Sequence, residues 1–177
     1  PEEIQTQVRL LLPQLNKNVC LTVYDNCSAT PVKNLFSEKE LFKFTIIRNT
    51  VNVGGDANIA RCFENCSADW LWTLSDDDLV TNDAVALVLQ EINNNPEATF
   101  INFMNDTTFK TVGFKEISNL LKSQKYFACS FAMSICVYNR LKVYDHIQVY
   151  YKYLSSMVGT LILVLKCVQK STDAVCI

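Results

Sequence analysis

This chain is poor in the residues that most often announce a function. One histidine, four glycines and four prolines occur in 177 residues. A single His cannot complete the usual zinc patterns, and none of the eight cysteines lies in a C-x-x-C pair. No Gly-rich loop carrying Lys or Arg stands near the start, which argues against a nucleotidyltransferase. Sixteen Lys and Arg face eighteen Asp and Glu, for a net charge of -2 and a pI near 5.4. No basic surface therefore offers itself to nucleic acid. Any phosphate bound here has to meet a metal ion or backbone N–H groups. No apolar run approaches the about 20 residues of a membrane span. The most apolar late segment, Met157 to Val168, carries Lys166 and reads as a core helix, with a peripheral membrane contact as the alternative. The first residues lack the basic region and apolar core of a signal peptide. There is no internal repeat, low-complexity tract or flexible linker.

The length fits one domain with a substantial core. Most cysteines sit in apolar runs, where a thiol behaves as a small hydrophobe, and they read as reduced and cytosolic. Cys62 and Cys66 share a helix face, so they are either a ligand pair or core packing. Helices and strands alternate. Ile4, Val8, Leu11, Leu12 and Leu15 recur at helical spacing behind an acidic start, and Pro13 ends or kinks that helix. Strands are expected over Val19–Tyr24, Phe42–Arg48, Trp70–Leu74 and Thr99–Met104, with helices near Ala57–Cys66 and from Val85 to Ile92. Such strand–helix units predict an α/β fold with a mostly parallel sheet. Further on, Lys115–Gln124 reads as a helix, Phe127–Tyr138 as a long strand, and a Tyr-rich helix is expected from near Tyr144 past Leu161.

The segment Trp70–Asp78, WLWTLSDDD, drives a buried-type strand into three carboxylates, Asp76, Asp77 and Asp78. Adjacent acids repel one another unless a cation neutralises them. Mg²⁺ or Mn²⁺ takes oxygen ligands and commonly needs only one or two carboxylates beside substrate phosphates. Open α/β sheets bind ligands at the carboxyl ends of their strands. The run is thus either a metal–diphosphate site or a solvated acidic turn opening the next helix.

Three separated segments together resemble glycosyltransferase family 2. Val23-Tyr24-Asp25-Asn26-Cys27-Ser28 is similar to its "VDNxS" strand end, Asn52 to Asn58 (NVGGDAN) to its "NxGxxxN" turn, and Trp70–Asp78 to the strand bearing its DXD metal motif in an "LxDDD" form. The combination looks most like the abequosyltransferase-like branch, which builds bacterial surface polysaccharides. The resemblance covers Val19 to Thr81 well and Phe131 to Leu154 faintly. It implies a GT-A fold, a Rossmann-like three-layer sandwich over 1–177, with a nucleotide-binding part over about 1–105 and an acceptor part over about 106–177. The implied reaction moves a sugar, with inversion, from a nucleotide-diphosphate donor to a saccharide or lipid-linked acceptor. It would take place in the cytoplasm or at the inner face of the plasma membrane, with Mn²⁺ or Mg²⁺ as cofactor. A non-catalytic sugar-nucleotide or carbohydrate-binding protein is the alternative.

By matching motifs, Asp25 would accept a hydrogen bond from the base, while Asn52 and Gly54 would let the backbone approach the nucleotide. Asp56 and Asn58 either contact base or ribose or cap the helix, Asp76 takes the ribose, and Asp77 or Asp78 the metal. Gly54 and Gly55 permit positive φ. Arg61 reads as an outward surface residue. For the general base, Asp145 is the first candidate, ahead of Asp106 and Glu116, with His146 as a helper. Tyr144, Tyr150, Tyr151 and Tyr153 either stack on a sugar or form an aromatic face. Family members open with a strand ending in a "PxYN"-like segment, and Pro1-Glu2-Glu3 resembles the residues just after that segment. A missing first strand, and with it two unpaired sheet edges, is therefore expected.

Overall fold

A computed structural model describes residues 2–103, 110–169 and 174–176. Helix α1 (Glu2–Leu11) has Glu2 and Glu3 in its first turn and Arg9 in its last, each complementing the helix dipole. It tightens into a 3-10 turn over Leu12–Gln14 where Pro13 cannot continue the ladder. Strand β1 (Thr22–Asp25), short helix α2 (Glu38–Leu41) and strand β2 (Thr45–Arg48) come next, and β1 and β2 pair in parallel with Asp25 opposite Arg48. Helix α3 (Gly55–Asn65) returns the chain to β3 (Trp70–Trp72), and helix α4 (Ala84–Asn94) leads to β4 (Phe100–Asn102). These elements match the expected ones, with shorter strands. Met104, the expected end of β4, lies outside the described residues.

The second half departs from expectation. After β5 (Lys110–Val112) and α5 (Phe114–Leu120), residues expected to begin a long strand form α6 (Gln124–Cys129), and only Cys136–Asn139 is strand β6. A continuous apolar run fits a buried helix as well as a strand, and periodicity alone does not separate them. The expected Tyr-rich helix is also broken. Helix α7 (Arg140–Val143), a 3-10 turn over Tyr144–His146 and α8 (Ile147–Lys152) precede Met157, whose φ of 61° is left-handed and stops helical continuation. Helix α9 (Gly159–Val168) then starts afresh. Its first residue has to be glycine, because a Cβ there would lie 2.2 Å from the Tyr150 ring. Strand β7 (Ala174–Cys176) is the last element.

Two sheets result: β1–β2, and a five-stranded sheet in the order β3-β6-β4-β7-β5. The smaller sheet is parallel, as expected. The larger is mixed, because β6 runs antiparallel to both β3 and β4, and β5 antiparallel to β7. Alternate residues of β4 and β6 enter different cores. Phe100, Cys136 and Tyr138 pack with Phe63 of α3, Tyr150 of α8 and Leu163 of α9, whereas Ile101 and Val137 pack with Val88 of α4. A third core joins Val8 of α1 to Val23, Val32, Phe36 and Phe44 around the small sheet. Among the described residues β1 pairs only with β2, and β3 only with β6, so each keeps one open edge. Helix α1 bridges the two sheets, its Val8 in the small-sheet core and its Gln7, with Gln14 just beyond it, bonded to the chain beyond β3.

Candidate nucleotide and metal site

Parallel pairing of β1 and β2 delivers the loops that follow them to one end of the small sheet, and α3 then carries the chain to β3 at the edge of the larger sheet. The first loop is organised by Asp25, buried to 2% exposure. Its Oδ1 accepts the Ser28 amide at 2.8 Å, and its Oδ2 accepts the Val32 amide at 3.0 Å and the Arg48 guanidinium. Arg48 also donates to the Ser28 carbonyl at 2.8 Å. The pairing arises from register, since the two residues end neighbouring parallel strands side by side. Burial pushes the Asp25 carboxyl pKa up, but the Ser28 and Val32 amides and the Arg48 guanidinium outweigh it and hold it below its ordinary value. The carboxylate expected to meet a nucleobase is thus engaged by the protein's own donors. It lines a cavity of about 280 Å³ with Lys33, Leu41, Phe44, Ile46 and Arg48, slightly below the usual ligand-pocket range.

Next to it lies an asparagine network. Asn26 donates to Asn52 Oδ1 at 3.0 Å and to the Gly54 carbonyl at 3.2 Å, while its Oδ1 accepts from Asn49 and from the Val53 amide. Asn49, 3% exposed, donates to both Asn26 and Asn58 at 2.9 Å and accepts from Arg61 at 2.6 Å. Asn58 reaches the Tyr24 carbonyl of β1 at 3.3 Å. Asn52 also accepts the Gly54 amide at 2.9 Å. Gly54 has φ of 83°, the left-handed conformation the turn needs, whereas Gly55 begins α3 without it. Asn52 and Asn58 therefore build the turn. Asp56 is half-buried, and its carbonyl accepts the Tyr150 hydroxyl at 3.1 Å. Among the described residues no side chain caps α3, so neither Asp56 nor Asn58 takes that role. Arg61, expected to point outward, instead turns in to hold Asn49.

The acid loop contrasts with this. Asp76, Asp77 and Asp78 are all exposed. Ser75 Oγ donates to Asp77, and Ser134, just before β6, donates to Asp78 Oδ2 at 2.7 Å while accepting the Ser75 amide at 3.0 Å. The antiparallel β3–β6 pairing brings Ser134 here, and Trp72 Nε1 on its carbonyl at 2.8 Å anchors the same stretch. Among the described residues no three Asp, Glu, His or Cys side chains converge as a metal group. Two exposed neighbouring carboxylates do fit a hard cation that takes its other ligands from phosphate and water. Asp77 and Asp78 would hold it.

Asp145 is not brought to these loops. Strand β6 runs antiparallel to β3, so its carboxyl end meets the start of β3: Trp70 pairs with Asn139, and Arg140 bonds to the Asp69 and Ala68 carbonyls at 2.8 and 2.6 Å. The acids lie beyond the other end of β3. Asp145 is exposed beside Cys167 at the end of α9, where burial first and the Asp145 charge second push the thiol pKa up to about 12. His146 shares its turn. Glu116 lies in the first turn of α5, and Asp106 is outside the described residues. Tyr150 is core, packed on Phe63 and Gly159. Tyr144 stacks under Arg140, Tyr151 lies against Glu64, and Tyr153 faces Lys152. Cys62 and Cys66 point their thiols at the Asn58 and Ala68 carbonyls, so they pack rather than form a ligand pair. Arg48, Asn49, Gln7 and Ser134 escaped sequence reasoning. Only Arg48 carried a signal, as a charge ending a strand beside one that ends in Asp.

Comparison with known proteins bears on the family and the fold. The family model described as "Glycosyl transferase family 2" matches residues 1–147. An "Uncharacterized glycosyltransferase" of Haemophilus influenzae is 27% identical over 123 residues, covering 70% of this chain and 41% of that protein. The crystal structure of S. aureus TarS 1-349 superposes with a TM-score of 0.70 at 13% identity, over 98% of this chain and 54% of that one. The same protein in complex with UDP gives 0.67 at 14% identity, over 97% and 53%. The chain thus spans about half the length of these relatives or less.

Proposed function

The chain belongs to glycosyl transferase family 2, and from that premise we propose that it forms the donor-binding part of an enzyme transferring a sugar from a nucleoside diphosphate. The observation that carries this reading is the pair of unlike loops on either side of α3: a rigid, asparagine-built turn that opens the helix, and an exposed run of carboxylates beyond β3. The nucleoside would rest against the turn around Asn52, Gly54, Asp56 and Asn58, with the ribose at Asp76. The diphosphate would lie between the α3 amides and Asp77 and Asp78, which would hold Mn²⁺ or Mg²⁺. When bound, the ion offsets charge growing on the leaving diphosphate. The UDP complex of TarS supports uridine diphosphate as the first ligand to try. Transfer with inversion to a saccharide or lipid-linked acceptor, in surface polysaccharide synthesis at the inner membrane face, is the fuller proposal. No helix among the described residues is long and apolar enough to cross a membrane. The open edge that β1 and β3 each keep among the described residues supports the proposal that a further strand of a GT-A sandwich pairs there.

One observation favours a second reading, a non-catalytic sugar-nucleotide-binding module: Asp145 stands at the wrong end of β3 to act as base. Thermal unfolding with UDP and Mn²⁺ tests the main proposal. UDP with Mn²⁺ should raise the melting temperature more than UDP alone, since selective binding to the folded state stabilises it. The extra rise should vanish in the Asp77→Ala, Asp78→Ala double variant. An equal response from the double variant would refute the metal assignment. Hydrolysis of a UDP-sugar by the parent separates enzyme from binding module.

A further inference from the structure

Gln7 is buried to 2% exposure on the same helix as the core residues Val8 and Leu11. Its Oε1 accepts the Val80 amide at 3.1 Å, and its Nε2 donates to the Asp78 carbonyl at 2.8 Å and the Ser75 carbonyl at 3.4 Å. Both amide hydrogens and the oxygen are used, and only this orientation of the carboxamide satisfies two carbonyls and one N–H. The bonded residues are not scattered: 75, 78 and 80 bracket the acid run. One side chain therefore ties both ends of the loop to a single point and leaves the three carboxylates facing solvent. Two turns on, Gln14 continues the seam, donating to the Thr81 carbonyl at 2.8 Å and accepting the Val85 amide at 3.0 Å.

Docking of α1 does not by itself call for a glutamine here. Val8 and Leu11 supply the helix with apolar burial, whereas an apolar side chain at position 7 would leave the Val80 amide and the Ser75 and Asp78 carbonyls without this partner. The carboxamide matches the loop, not the helix. We propose that Gln7 is a positioning residue: it holds the backbone of residues 75–80 in the conformation that presents Asp77 and Asp78. What those carboxylates bind rests on the function proposed above. The hold itself does not.

Gln7→Met keeps the length and removes the donors and the acceptor. Gln7→Glu keeps an acceptor for Val80 but sets oxygen against the Ser75 and Asp78 carbonyls. Hydrogen exchange followed by mass spectrometry reads the hold directly. In Gln7→Met a peptide covering 75–80 should exchange faster, while one covering Cys136–Asn139 keeps the parent's protection. Calorimetric titration with UDP and Mn²⁺ reads the consequence. Affinity should fall about ten- to a hundredfold, as when partners behind metal ligands are lost, with metal-free UDP binding unchanged. Unchanged exchange over 75–80 in a folded Gln7→Met protein overturns the proposal. So does unchanged UDP–Mn²⁺ affinity where the parent's binding depends on Asp77 and Asp78. If the Asp77→Ala, Asp78→Ala protein binds UDP–Mn²⁺ like the parent, the site reading fails instead, and exchange alone decides the role of Gln7. Should Gln7→Met not fold, Gln7→Glu carries the same two measurements, with faster exchange over 75–80 supporting the proposal and unchanged exchange overturning it.

Discussion

The turn around Asp25 and Asn49 and the loop around Asp77 both come after short strands, yet they solve opposite problems. In the first, polar groups are bonded to one another around the buried Asp25 and Asn49: Asp25 takes three donors, Asn49 engages three side chains, and Asn26 four partners. In the second, backbone atoms are tied down by Gln7 and Ser134 while three carboxylates remain in solvent. Polar residues at strand ends can therefore be framework or working surface, and the two are told apart by where their hydrogen bonds go. Internal satisfaction fixes a shape. Exposed charge of one sign, held on a fixed backbone, would suit a cation.

The contrast predicts unequal responses to mutation. Asp25→Ala should be the most damaging change, costing about 3 kcal/mol at neutral pH, because Arg48 and two amides lose their shared acceptor. Urea denaturation measures it, and a cost below about 1 kcal/mol would show that the turn does not depend on the pair. Acid adds a sign. The Asp25 pKa is lowered in the folded state, so its contribution is present above the unfolded carboxyl pKa of about 3.9 and is lost as pH falls through the folded value. The stability gap between parent and Asp25→Asn should close on acidification through that window, and a gap that widens would reverse the assignment.

Asn49→Ala should cost about 2 kcal/mol, since it leaves Arg61, Asn26 and Asn58 each short of a partner. UDP binding without metal should weaken with it, and titration of the folded variant checks this. At the small end, Asp77→Ala with Asp78→Ala should alter stability by no more than about 0.5 kcal/mol, as exposed positions do. Its whole effect should lie in the Mn²⁺-dependent part of UDP binding. A stability loss as large as that of Asn49→Ala would erase the distinction between framework and working surface.

Much of the first hundred residues could be read before folding. The helix–strand alternation, the turn at Gly54 and the acid run come from local preferences: Pro13 stops a helix, positive φ selects glycine, and apolar strands run into charged loops. What lay beyond reach was partnership. Arg61 is ordinary in sequence and turns inward only because Asn49 stands there to accept it. The run 127–138 divided between α6 and β6 because helix and strand bury an apolar run equally well.

The residues in order were enough to place the chain in its family and to mark the strand-end loops, because short contiguous motifs owe their meaning to neighbours along the backbone. The roles of Gln7, Asn49 and Ser134, and the remoteness of Asp145, were decided only in three dimensions. Strand β6 enters antiparallel to β3, so one of its ends meets the acids and the other leads away from them. That direction is set by pairing between segments some 60 residues apart, as in the Trp72–Ser134 hydrogen bond, and no local pattern records it.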